Sequence, residues 1–256
     1  MKNIHNFLKY TFISFCLSIV LVFGITNCKS KPDKAQQIIN ESIKAHGGEH
    51  YDQLKVSFDF RDKHYKIDKD GDQFTYIRIG KDTSGNEIKD VFSNEGLIRF
   101  VANKQIELAD SMAKKYKNSI NSVVYFALLP KPLNDEAAIK TYLGEGQIGA
   151  DHYHKIKVTF QQENGGKDHE DEFVYWINKA TNLMDYFVYS YKTDGGGIRF
   201  RERIKSQSVA GVRFQDYINY APIDSTYSLQ DFDIAFSEGK LREFSRIENL
   251  NLKVDF

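Results

Sequence analysis

From Val56 onward, apolar and polar residues trade places at every second position, and each such run ends at a short cluster of Gly, Asn or Asp. No other feature constrains the fold as much. A period of two marks half-buried strands, and turns this short join antiparallel neighbours. Val56, Phe58 and Phe60 alternate with Ser57, Asp59 and Arg61. Asp70-Gly71-Asp72 is a turn and 74–79 a strand; Ser84-Gly85-Asn86 is a turn and 88–92 a strand; Asn94-Glu95-Gly96 leads into 97–101. After Gly149, His154, Ile156, Val158 and Phe160 form one face, and Asn164-Gly165-Gly166 turns the chain. Strands at 173–177, 183–191, 198–205 and 212–220 follow, with two more expected near 232–236 and 250–256. The sum is about ten antiparallel strands in consecutive hairpins. Such a sheet must roll up or be covered, because flat open edges invite pairing with other chains. The expected class is therefore mainly β (α+β), an antiparallel sheet that rolls up or is covered by a few helices. An alternating βαβ enzyme fold is excluded by the order of elements.

Two segments break the alternation. Residues 35–46 place Ile38, Ile39, Ser42, Ile43 and His46 at helical spacing, with Asp33 as N-cap and Gly47-Gly48 as the stop. Residues 109–129 are helical until Pro130 and Pro132.

The start of the chain is different again. Lys2 and Lys9 precede an apolar run at 12–25, and Cys28 closes it before Lys29-Ser30-Lys31-Pro32. This is the layout of a secretory signal. The run is shorter than the roughly 20 apolar residues of a spanning helix. The expected organisation is a signal peptide at 1–27, a tether at 28–34 and one domain at 35–256. An uncleaved anchor and an ordinary cleaved signal are the alternatives. Removing 1–27 takes away Lys2, Lys9 and no acid, so the formal charge moves from 0 to −2. That balance gives no footprint for nucleic acid. Cys16 lies in the signal and Cys28 at its end, so no cysteine remains for a disulfide.

The segment ending at Cys28 resembles a bacterial lipobox of the loose form common in Bacteroidota, with Thr26-Asn27 before the cysteine. Further matches to Bacteroidota lipoproteins of unassigned function are the 35–48 helix with its Gly-Gly end, 56–62, Tyr125-Phe-Ala-Leu-Leu-Pro130, Trp176-Ile-Asn-Lys-Ala-Thr-Asn-Leu183 and 209–217. In this order they resemble the LolA/LppX-like superfamily of lipoprotein carriers and lipid-binding lipoproteins. The resemblance implies a half-barrel closed by helices over an apolar cavity, and a lipid or other amphiphile as ligand. It implies a lipid-anchored envelope protein, membrane-bound through Cys28. Because Lys29 and not Asp follows the cysteine, it implies the outer membrane, facing the periplasm.

Alternate residues of such a sheet face its concave side. Phe58, Phe60, Phe74, Tyr76, Phe160, Phe187 and Phe200 are the expected lining. The same residues would equally serve a filled core, making the protein a structural or interaction module. Arg199, Arg201, Arg203 and Lys205 form a basic row opposite Ile198, Phe200 and Ile204. Arginine suits phosphate and carboxylate, which would let the row contact lipid head groups or anionic glycans, but it reads first as a solvated outer face paired with acids such as Glu170 and Glu172. His152-x-His154 offers only two closely spaced imidazoles where zinc needs three or four ligands. Asp68-x-Asp70-Gly71-Asp72 lacks the spacing of a calcium loop. No hydrolase elbow, zinc helix, phosphate loop or dinucleotide fingerprint occurs, and Lys155 and Lys157 fall on the solvent face of their strand. The expectation is a non-enzyme without cofactor or metal.

Overall fold

The computed structural model describes residues 33–161, 171–192, 195–224 and 227–255. Cys28, the signal segment, the 164–166 turn and Glu170 lie outside them.

Helix α1 (Lys34–His46) starts where Asp33 Oδ1 accepts the Gln36 N–H at 2.8 Å, and it ends at Gly47, whose φ of 151° suits glycine. Its inward stripe is Ala35, Ile39, Ser42, Ile43 and His46. Six strands follow as a meander: β1 (Lys55–Phe60), β2 (Lys63–Asp70), β3 (Gln73–Lys81), β4 (Glu87–Ser93), β5 (Gly96–Val101) and β6 (Lys104–Ile106). Helix α2 (Asp110–Ala127) then carries the chain into a second meander. This comprises β7 (Ala138–Ile148), β8 (Asp151–Phe160), β9 (Glu172–Asn178), β10 (Met184–Tyr191), β11 (Gly197–Val209) and β12 (Val212–Pro222). After helix α3 (Phe232–Ser237), β13 (Leu241–Ile247) completes the second sheet, and β14 (Leu250–Val254) returns to pair with β1.

The architecture is mainly β, as the alternation requires, but the described residues form fourteen strands in two antiparallel seven-stranded sheets. The first has the order β14-β1-β2-β3-β4-β5-β6 and the second β13-β12-β11-β10-β9-β8-β7. The segment expected to be a strand at 232–236 is instead α3.

Side chains from both sheets, α1 and α2 meet in one core. Phe58 pairs across to Tyr65 and stacks on it at 5.6 Å. Phe126 of α2 stacks on Phe187 of β10 at 5.9 Å, and Ser119 of α2 accepts a hydrogen bond from Arg78 of β3. α2 thus touches both sheets. A second, smaller core lies on the opposite face of the second sheet. There α3 lays Phe232 and Phe236 over Phe200, with Trp176 beside them. Gly146 of β7 leaves room for this cap, since a Cβ there would strike the Asp233 carboxylate.

The Trp176–Leu183 motif is the β9–β10 connection. Asn178 Oδ1 accepts from the N–H groups of Ala180 and Thr181, and Asn182 takes a φ of 58° that asparagine tolerates. No helix among the described residues is long and apolar enough to cross a membrane.

Candidate ligand-binding cleft

The first sheet presents its inner face in transverse rows. One row runs Phe58–Tyr65–Arg78–Asp90–Arg99 through consecutive strand pairs, passing from aromatic to ionic. The neighbouring row runs Val56–Ile67–Tyr76–Phe92–Leu97. Register therefore puts Phe58, Phe60, Phe74 and Tyr76 on one face. In the second sheet, one inner row is Tyr142–Ile156–Tyr175–Phe187–Arg201–Asn219.

Between α2 and these two inner faces lies a cleft of about 280 Å³. Phe60 of β1, Val123 and Phe126 of α2, Tyr189 of β10, Arg201 of β11 and Ile247 of β13 wall it. Of the seven expected lining residues, only Phe60 reaches it. Phe58 and Phe187 are fully buried in the main core, where Phe187 stacks on Tyr175. Tyr76 and Phe160 also pack there. Burial pushes the Tyr76 phenol up to about 12. Phe74 stacks on Tyr76 and also borders a separate, polar groove with Asp68, Asp70 and Glu95.

Phe200 corrects the expected facing. It pairs with Val188 and Tyr220 and looks away from the cleft, into the core under α3. Arg199, Arg201 and Arg203 therefore occupy the inner side. A bulge between Arg203 and Lys205 then turns Lys205 to pair with Asp216, out of their row. None of the three arginines pairs with Glu172, which binds Lys157 at 3.0 Å. Arg203 Nε donates to Asp185 at 2.7 Å, and Arg199 lies over the Phe244 ring at 4.3 Å. Arg201 is only 6% exposed. Its Nη2 donates to the Tyr189 hydroxyl at 3.1 Å, its guanidinium sits 4.1 Å from the Phe126 ring, and its Nε has no partner. Arg201 was legible as part of the basic row suited to phosphate or carboxylate, but its burial was not, because a charged row reads first as solvated surface.

Polar groups at the cleft are mostly engaged with one another. Gln215 Oε1 accepts from the Tyr217 hydroxyl at 3.1 Å, while its Nε2 donates to the Met184 carbonyl. Asn249 donates to the Gln215 carbonyl. Behind Gln215, the buried His46 donates from Nδ1 to the Ser42 carbonyl at 2.8 Å. Burial holds its pKa below 6.5, chiefly by desolvating the imidazolium. As pH falls, the unfolded chain protonates first. The stability contributed by neutral His46 is complete above pH 6.5 and is lost as pH falls through the lower folded value. His154 shifts in the same direction. The melting temperature should therefore fall between neutral pH and about pH 5, above the range where ordinary carboxylates titrate. His46→Gln should flatten that slope in pH-resolved thermal melts. An unaltered slope would assign the effect to His154.

Lys155, expected on a solvent face, is covered by α3 and reaches the Gln230 carbonyl at 3.0 Å and Asp233 at 3.5 Å. Among the described residues, no group of three or more His, Cys, Asp or Glu could hold a metal.

Residues 9–249 match the model of a family of unknown function, DUF6503. The chain belongs to that family. No curated protein matches this DUF6503 member in sequence. Among solved structures it is similar to a LolA superfamily protein from Nitrosomonas europaea. The two share 12% identity over 88% of this chain and 95% of that one, at a TM-score of 0.46. It is also similar to a DUF1329 family protein from Desulfovibrio piger, with 10% identity, 88% and 94% coverage and a TM-score of 0.40. A third, described as an outer membrane lipoprotein-sorting protein domain, comes from Vibrio parahaemolyticus. It shares 9% identity over 73% of this chain and 85% of that chain, at a TM-score of 0.42.

Proposed function

We propose that this DUF6503 member is a non-catalytic envelope lipoprotein, anchored through a lipid on Cys28, that holds an amphiphile in the cleft beneath α2. The observation that carries the reading is the cleft itself, with Phe60, Val123, Phe126, Tyr189 and Ile247 converging on one concave space. Ligand pockets are concave, mainly apolar, and of roughly 300–1,000 Å³. At about 280 Å³ this one stands at the small end. It suits one acyl chain better than a lipid with several. Displacement of a fluorescent fatty-acid probe by unlabelled amphiphiles tests it, and a wild-type protein that takes up no probe overturns it.

The anchor rests on the signal layout that ends at Cys28. Each lipid methylene buried in a bilayer contributes about 0.8 kcal/mol, so a multiply acylated terminus holds firmly. The domain, from residue 35 to 256, would then work in water beside the outer membrane, on its periplasmic side. Cys28→Ala should abolish acyl-chain labelling and release the protein from the membrane fraction, and protease added to intact cells should spare the wild type. Unchanged labelling and retention in the variant would remove the anchor from the proposal.

A further inference from the structure

We infer that the cleft is built for an anionic amphiphile, a carboxylate or phosphate on an acyl chain, and that Arg201 holds the anion. The inference rests on the amphiphile reading above and names the ligand's head group.

The main observation is a cation with no counter-ion. Arg78 and Arg99 share the Asp90 carboxylate, and Arg203 lies on Asp185. Arg201 is buried as deeply as Arg78 and Arg99, yet no carboxylate among the described residues lies within ion-pair distance of it. Among the described residues its one hydrogen-bond partner is the Tyr189 hydroxyl. A guanidinium has five donors in a planar fork, and Nε here is buried and unpaired. Taking such an ion out of water is costly. The faces of Phe126, Phe187 and Tyr189, at 4.1, 5.3 and 5.3 Å, offset part of that cost but accept no hydrogen bond in its plane. A leucine or methionine would fill a closed core better.

The surroundings have the same sign. Arg61 also lines the cleft, and Ser119 on its wall already accepts from Arg78. No Asp or Glu lines it among the described residues. The glutamine, asparagine and tyrosine beside Arg201 are engaged as described; of the polar groups left on the lining, Arg61 and Ser122 are exposed, and the Arg201 guanidinium is the buried one. An arginine fork matches the two oxygens of a carboxylate or phosphate. The apolar walls would take the chain. The cleft is thus amphiphilic in the sense its ligand must be.

The test displaces a fluorescent fatty-acid probe from the full-length protein with palmitate, hexadecyl phosphate and hexadecanol, which share one chain and differ in head group. Palmitate or hexadecyl phosphate should compete about tenfold to a hundredfold better than hexadecanol, the effect of a charge-assisted hydrogen bond. Whichever anion wins identifies carboxylate or phosphate as the preferred head group. Arg201→Gln should erase that advantage and leave hexadecanol unchanged. If Arg201→Gln does not fold, Arg201→Lys keeps the charge without the planar fork and should narrow the advantage. Equal competition by all three compounds in the wild type overturns the anion inference while the amphiphile reading stands. No displacement by any of them overturns both. An advantage that survives at Arg201 but disappears in Arg61→Ala assigns the anion to Arg61 and overturns the role given to Arg201.

Discussion

Asp90→Ala should cost the domain about 3–5 kcal/mol, the range for removing one partner from a buried ion cluster. Asp90 is 1% exposed and carries both arginines of its row. Oδ2 accepts from Arg78 Nε and Nη2 at 3.1 and 2.7 Å and from Arg99 Nη2 at 2.9 Å, while Oδ1 accepts from Arg99 Nε at 2.6 Å. Alanine would leave two guanidinium groups buried side by side with no counter-ion, held only by neutral partners such as Tyr116 beside Arg99 and Ser119 and Tyr65 beside Arg78. Domains are stable by only about 5–15 kcal/mol, so the loss is a large fraction of the whole. At this size it corresponds to a drop of about 6–20 °C in melting temperature. Replacing the trio together, Arg78→Met with Asp90→Leu and Arg99→Met, should be far milder, because no charge is then stranded. Denaturant unfolding of the two variants checks the pair. A loss below about 1 kcal/mol in Asp90→Ala would mean that water reaches the cluster and that it does not hold α2 on the sheet.

That cluster also shows where sequence reading ends. Arg78, Asp90 and Arg99 stand on strands whose alternation is plain, but pairing across three strands depends on register, and a shift of one residue inverts every face. α1 was legible because its signals are local: the Asp33 cap, the apolar stripe, the glycine stop. α2 was legible for the same reason, with Pro130 as its end. Strand β2, by contrast, reads Lys-His-Tyr-Lys-Ile-Asp-Lys-Asp, and only Tyr65 and Ile67 are buried in it. So polar a strand is hard to tell from a loop, which is one reason about ten strands were expected where the described residues form fourteen. Segment 232–236 failed differently. Phe232, Ile234 and Phe236 satisfy a period of two, while Phe232 and Phe236 also satisfy a helical four. The helix won, since it seats both phenylalanines on Phe200 and leaves Ile234 49% exposed. That choice fixed β11. Once α3 gave the second sheet a core on its other face, Ile198 and Phe200 had apolar cover there, and the arginines went to the cleft side. Apolar residues mark the inside only when a sheet has one inside.

Phe58→Ala and Phe60→Ala should separate core from cleft. The two residues share a strand and a face, yet they do different work. Phe58 is fully buried, flanked by Val56 and stacked on Tyr65 with 13° between the rings. Truncating it should open a cavity in the main core and cost about 3–5 kcal/mol in equilibrium denaturation. Probe affinity, measured where the variant is still folded, should change little. Phe60 is partly exposed at the end of β1, where its ring meets Tyr65 at 6.5 Å and the Arg61 guanidinium at 5.2 Å while lining the cleft. Its truncation should cost about 1 kcal/mol of stability, typical of a partly buried site. It should weaken probe binding about fivefold to tenfold, the equivalent of roughly 1–1.4 kcal/mol of lost contact. The opposite pattern would sink the cleft. If Phe60→Ala loses stability as Phe58→Ala does while binding stays intact, Phe60 is a core residue and the ligand lies elsewhere. If the wild type binds no probe and both variants merely destabilise, the interior is a filled core, and the structural or interaction role replaces the carrier.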